Sequence, residues 1–386
     1  MRILQLLKTS HGAEWAVRQM RDLVRARVEV HAVLPPGGPQ VELCRAAGIK
    51  THLYDLDLPV RRPWRWRRVW STLRSLIREI SPALVHSHFV GTTLSMRLAL
   101  GQDHPLPRIF QVAGPLHLEH ALFRNADIVS AGRNDYWIAT CLKTRGYYLN
   151  SGINALQVFL SYYGFDVEKY RGIDPGDLRA RLGIQAGERI IGMMAMMYRP
   201  KWYLGQRQGI KGHEDLIEAL ALCLKRRKDL KGLIVGGAYG KKAEPYERKL
   251  RAYARKRCGD AALFLGTRKD VKELYALMDV AVHPSHSENL GGAVESLLMN
   301  VPTIATNLGG FPDLITPGQT GWLVPAHDPP RLAEAILEVL DNLPRAKEMA
   351  ARGRDRVVEL CSASRTSAEV LQIYSKILAR PCNSGS

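Results

Sequence analysis

The chain has 386 residues, 46% of them apolar, and carries a formal net charge of +18. That length exceeds what one ordinary core serves, so two domains are expected, and the ordinary apolar content excludes a disordered chain. The cysteines (Cys44, Cys141, Cys223, Cys258, Cys361, Cys382) are scattered without a Cys-x-x-Cys pair, which excludes a disulfide framework or zinc knuckle and suits a reducing cytosol.

In chain order, Met1–Leu7 is apolar but meets polar residues at once, so it reads as a first strand and not a signal sequence. No apolar run is long enough to span a bilayer, and a cytoplasmic protein, at most peripheral on the inner face of the membrane, is expected. Strands are predicted at Arg2–Leu7, Glu29–Leu34, Lys50–Leu53, Ala83–Ser87, Arg108–Val112, Ile128–Ser130 and Gln157–Ser161. Amphipathic stretches such as Glu14–Arg25 and Trp70–Ile80 lie between them. This alternation predicts a parallel sheet covered on both faces, with ligands beyond the carboxyl ends of its strands.

Three features of this half carry chemistry. Thr9–Glu14 joins the first strand to the first helix and holds Gly12 where a backbone can approach a ligand. Pro59–Trp70 contains Arg61, Arg62, Arg65, Arg67 and Arg68, the tryptophans Trp64, Trp66 and Trp70, and no acid. Tryptophan favours a bilayer interface and each arginine near an anionic surface adds roughly 1 kcal/mol, so the stretch is a membrane-contact candidate. A solvated helix entry with inward tryptophans is the plain alternative; no nucleic-acid motif accompanies the stretch, and nucleic acid is not an expected partner. Finally, His86, His88, His117 and His120 sit at strand ends, but no carboxylate completes a metal set.

Ser161–Asp166 closes the first half, and the Gly-, Pro- and charge-rich Tyr170–Gly187 reads as a linker. Strands resume at Arg189–Met196, Gly232–Val235, Ala262–Leu265, Val280–Val282, Thr303–Ala305 and Gly321–Val324. The loop Tyr198–Glu214 holds Arg199, Lys201, Arg207 and Lys211-Gly212. Gly236-Gly237 and Phe264–Arg268 follow the next two strands, while Lys225–Lys228 and Arg248–Arg257 read as solvated helix faces. After Val280–Val282 come Glu288, Asn289, Leu290, a turn at Gly291-Gly292, and a helix Ala293–Met299 bearing Glu295. A helix mouth of this kind presents unpaired N–H groups to an anion, and Glu295 can accept from a ribose diol.

At Glu288–Glu295, Val301–Asn307, Gly309–Asp313 and Gly318–Val324 the chain resembles retaining GT-B glycosyltransferases with a Glu-x7-Glu signature, the group 1 or family 4 type found in bacterial polysaccharide synthesis. Glu295 matches the second Glu. A seven-residue gap before it lands on Ser287, whereas the nearest acid is Glu288, with only six residues between, so which takes the first role stays open. The resemblance implies an α/β protein of two Rossmann-like domains facing across a cleft: residues 1–165 on the acceptor side, joined by a final helix 366–380 bearing Val370, Ile373, Tyr374 and Ile377, and residues 166–365 binding the nucleotide sugar.

By the same resemblance Lys211, with one of Arg199, Lys201 or Arg207, stabilises a departing diphosphate. Glu288 and the Asn289–Gly292 turn hold the donor sugar, Glu295 the ribose, Gly12 and Gly237 approach the donor, and Arg268 borders the base. His117, with His120 second, lies by the reacting carbon. A sugar passes from a nucleoside diphosphate, expected to be uridine, to a glycan or lipid-linked hydroxyl with retention, the diphosphate itself taking the proton. No cofactor or metal is expected. The alternatives are a nucleotide-sugar epimerase of the same fold and a non-catalytic basic protein binding membrane or nucleic acid.

Overall fold

The computed structural model describes residues 1–202 and 205–380; the expected frayed end Pro381–Ser386, with Cys382, lies outside the described residues. The chain divides into two compact units, Met1–Phe165 with the segment from Leu360 onward, and Asp166–Glu359. Each is an all-parallel sheet covered by helices.

The first unit's strands are β1 (Arg2–Leu6), β2 (Glu29–Leu34), β3 (Lys50–Leu53), β4 (Leu84–Ser87), β5 (Arg108–Gln111), β6 (Asp135–Ala139) and β7 (Val158–Leu160), in the order β3-β2-β1-β4-β5-β6-β7. The apolar runs form strands because both faces are buried. In β1, Ile3 packs with Met20, Leu23 and Ile373, while Leu4 packs with Leu73, Leu76 and Met96 on the other side. Helix Ala363–Leu378 completes the first layer with Val370, Ile373, Tyr374 and Ile377. The Tyr374 hydroxyl accepts from Gln5 Nε2 at 3.0 Å and donates to His86 Nδ1 at 2.5 Å.

The strand expected at Ile128–Ser130 is not formed; those residues end the helix Ala121–Val129, with Val129 73% exposed. The strand is β6 instead. Its first residue, Asp135, argues against a buried strand until its partners are seen: Arg97 Nε donates to Asp135 Oδ1 at 2.9 Å and Arg108 Nη2 to Oδ2 at 2.6 Å. Asp127, also buried, binds Arg97 at 2.7 Å and accepts from the Tyr148 hydroxyl at 2.6 Å. Buried charge is tolerated only when paired in this way.

The second unit's strands are β8 (Arg189–Met194), β9 (Leu230–Val235), β10 (Ala262–Gly266), β11 (Val280–His283), β12 (Thr303–Thr306) and β13 (Trp322–Val324), ordered β10-β9-β8-β11-β12-β13. Alternate residues again serve two layers: Ile191 meets Leu216, Leu220 and Ile336, and Ile190 meets Leu233, Tyr275 and Ala281. The stretch 170–187 is no simple linker, since Leu178 and Ile184 are buried in that second layer. In each sheet the chain reverses direction of travel beside its first strand, between β1 and β4 and between β8 and β11. Crevices at such switch points, beyond the strand ends, are where open α/β sheets bind ligands.

Candidate active site

The segments leaving β8 and β11 enclose a cavity of about 200 Å3. Met193–Met196 and Tyr198 line it from β8, His283, Ser285, Glu288 and Gly292 from β11, and Lys211 from the turn before helix His213–Arg226. Lys211 Nζ forms an ion pair with Glu288 Oε2, the two side chains being only 18% and 13% exposed. Glu288 Oε1 also accepts from the Asn289 N–H at 3.1 Å. A partly buried cation and carboxylate thus meet in the wall of the cavity.

Backbone packing holds both ends of this pair. Gly212 has φ +72°, and a Cβ there would stand 1.9 Å from Pro284 O, so only glycine lets the Lys211 turn lie against the loop after β11. On the far side a Cβ on Gly309, φ +59°, would stand 1.8 Å from Glu288 O. Gly310 N donates to Asn289 O at 2.8 Å and Thr306 Oγ1 to Ser285 O at 2.7 Å. The loop is clamped to β12 along its length.

Burial, with the charge of Lys211 beside it, pushes the His283 imidazole down to about 3, so it stays neutral, 3.0 Å from Ser296 Oγ. Burial, Tyr239 and Glu288 together push the Tyr198 hydroxyl up to about 12, keeping it a proton-bearing donor. The cavity therefore offers one cation, one anion and a neutral phenol. One turn into helix Ala293–Leu298, Glu295 Oε1 accepts from the Tyr170 hydroxyl at 2.9 Å.

Residues 202–356 match the model of the family described as "Glycosyl transferases group 1". The match lies wholly inside the second unit. Among curated proteins the chain is similar to the D-inositol 3-phosphate glycosyltransferase of Acidothermus cellulolyticus, 26% identical over 68% of this chain and 61% of that protein. It is also similar to the lipopolysaccharide core biosynthesis mannosyltransferase LpsB of Rhizobium meliloti, 23% identical over 56% and 60%. The chain spans about half to three-fifths of the length of the first curated relatives it matches. HepE of Anabaena, solved with UDP, superposes with a TM-score of 0.81 at 20% identity over 97% of this chain and all of that one. Sucrose-phosphate synthase of Thermosynechococcus elongatus gives 0.81 at 19% identity over 98% and 99%. The fold is GT-B.

Within this unit the expected residues fall into three sets. Lys211, Glu288 and Gly292 line the cavity, and Glu288, not Ser287, is the side chain facing it. Arg199 and Arg207 do not join them: both line a separate cavity of about 680 Å3 with Glu214, Asp215 and Tyr246, and the Lys201 N–H donates to Gln206 Oε1 at 3.0 Å. The long loop carries these cations past the cavity, so the pairing of one of them with Lys211 is not seen. Arg268 turns back on Asp270 through bonds of 2.8 and 2.5 Å, Gly237 abuts Thr267, and Leu290 is a core residue at 3% exposure. Gly291 makes the tight turn, with φ +48°.

In the first unit Gly12, φ +73°, sits in the loop after β1 at its switch point. His117 Nε2 lies 3.4 Å from both Asp127 Oδ2 and the Tyr148 hydroxyl, at the edge of the buried ionic cluster, and the His120 ring lies 5.3 Å from Phe123. His86 and His88 stack at 4.4 Å wholly inside, His88 held by Gln5 at 2.7 Å and Tyr163 at 3.1 Å; burial keeps both neutral. Sequence reading misses Tyr198, His283 and Tyr170 as site residues. Position was the available signal for His283, which ends β11, and for Tyr198, four residues past the end of β8.

Proposed function

We propose that the protein transfers a sugar from a nucleoside diphosphate sugar, with UDP as the carrier, to the hydroxyl of a glycan or lipid-linked acceptor. The observation that carries this reading is the Lys211–Glu288 pair in a cavity at the β8–β11 switch point. A diphosphate entering it meets Lys211 as its counter-ion and frees Glu288 to accept hydrogen bonds from sugar hydroxyls. Relatives named as glycosyltransferases support the class, and the UDP and UDP-glucose bound in HepE support the carrier. Charge gathers on the departing diphosphate, and a fixed ammonium stabilises it there most effectively, where water is excluded. In the retaining course proposed, the C1–O bond to the diphosphate breaks as the acceptor oxygen bonds C1 on the same face, and the acceptor proton passes to the leaving diphosphate. Glu295, steadied by Tyr170, would hold the ribose. Arg268, free to exchange Asp270 for a base, Gly237 and the Asn289–Gly292 turn would complete the donor site.

A thermal-shift panel of UDP, GDP, ADP and dTDP tests the donor. UDP at 100 times its dissociation constant should stabilise by about 2.7 kcal/mol. Glu295→Ala should abolish that shift, and supplying UDP-sugar with acceptor should yield a glycosylated product. No shift with any nucleotide, or donor consumed without such a product, would overturn the reading.

We also propose that Pro59–Trp70 meets an anionic lipid surface. Trp64 is 74% exposed at the head of helix Trp66–Ile80, while Trp66 donates to Pro59 O at 3.1 Å and lies 5.7 Å from Trp70, so only Trp64 faces fully outward. No ion pair to Arg61, Arg62, Arg65, Arg67 or Arg68 forms among the described residues, which leaves five positive charges for lipid headgroups. No described helix is long and apolar enough to cross a membrane. Changing the five arginines to serine should release the protein from anionic liposomes in sedimentation, and unchanged sedimentation would refute the contact.

A further inference from the structure

We infer that Asp215, His286 and His327 form a binding site for a divalent transition-metal ion of the zinc class. The three residues come from separate segments of the second unit: the first turn of helix His213–Arg226, the loop after β11, and the turn between β13 and helix Pro329–Asp341. One ligand atom from each lies within 4.8 Å of the other two. His286 Nε2 stands 2.8 Å from Asp215 Oδ2, and the His286 and His327 rings lie 3.6 Å apart between centroids. Tetrahedral zinc, with bonds near 2.0–2.1 Å, needs its ligand atoms roughly 3.3 Å apart, so small side-chain rotations complete the set.

A second observation is independent of these distances. His327 has φ +59°, a left-handed backbone uncommon for a non-glycine residue. Here it sets an exposed imidazole against the His286 ring, beside the buried Asp215 carboxylate. The His286 backbone N–H donates to Ile210 O at 2.8 Å, one residue before Lys211. Two nitrogens and one oxygen favour zinc over the all-oxygen preference of magnesium or calcium. Three protein ligands with His327 at the surface leave the fourth position to water.

None of the three residues lines the 200 Å3 cavity, so this is a separate site. It joins the segment carrying Lys211 to that carrying Glu288, and bound metal would fix their spacing. The four strand-end histidines of the first unit do not form such a group among the described residues.

The test is equilibrium dialysis of the full chain against Zn2+ with metal quantified per chain, repeated with Co2+ to read visible d–d absorption. Wild type should retain one ion per chain. His327→Gly removes a ligand while relaxing the strained backbone, so it folds; it and His286→Ala should weaken binding by more than about 100-fold, beyond the 10–100-fold that loss of a supporting contact costs. His52→Ala, from the His31–His52 pair 2.9 Å apart in the first unit, should change nothing. Equal zinc on wild type and His327→Gly, none retained by wild type, or loss in His52→Ala would each overturn the assignment.

Discussion

Lys211→Ala should slow sugar transfer by about 10²–10³-fold, the usual cost of removing one preorganised charge that stabilises the transition state. The fall should appear in kcat and kcat/KM together, because leaving-group charge is largest in the transition state. The geometry makes a second demand. Lys211 neutralises Glu288 in a direct ion pair, so deleting it leaves a carboxylate only 13% exposed without its cation. That bare charge would repel a diphosphate, and Lys211→Ala should weaken diphosphate binding more than nucleoside binding. In the double variant Lys211→Ala/Glu288→Gln the repulsion disappears. Nucleoside diphosphate affinity should partly recover while the rate does not, a non-additivity measurable as a double-mutant cycle. A single variant within about threefold of wild type in rate, or equal losses for uridine and UDP, would remove Lys211 from the role.

Much of the fold is legible because each sheet is buried on both faces, which forces runs such as Val280–Val282 to be apolar and gives them readable ends. β6 is the instructive failure. Its leading Asp135 marks it as surface until Arg97, 38 residues away, and Arg108 are known to neutralise it. In the site, Lys211 and Glu288 are readable from local motifs: the glycine after the lysine, and the paired glycines after the acid. The contacts that tune them are not local. Tyr170 reaches Glu295 across 125 positions, and the His286–His327 stack joins loops that no periodicity relates. Arg199 and Arg207 show the converse limit, since the path of a long loop, and not its composition, decides which cavity a cation lines.

Lowering the pH from 6.5 to 4.5 should destabilise the second unit through two buried histidines, whose joint contribution of roughly 4 kcal/mol is a large share of the 5–15 kcal/mol that keeps a typical domain folded. Burial pushes His213 down to about 4, and burial with the charge of Lys211 pushes His283 down to about 3. An unfolded histidine titrates near 6.5. Below that pH the unfolded chain therefore binds protons that the folded unit refuses. The contribution of these two residues is complete above 6.5 and is lost as pH falls toward their folded values, at about 1.4 kcal/mol per pH unit for each. Asp127, held to about 2 by Arg97 and its hydrogen bonds despite burial, cannot cause this early loss, because its own contribution fades only below the ordinary carboxylate range and it lies in the first unit. Hydrogen exchange of peptides from β8 and β11 isolates the second unit, and their opening free energy should fall over this interval. His283→Gln, which keeps an N–H for Ser296 but cannot titrate, should cut the slope by about half. Protection that is flat between pH 6.5 and 4.5, or a slope unaltered in that variant, would mean that His283 takes up its proton inside the fold, and the cavity would then hold a second cation beside Lys211.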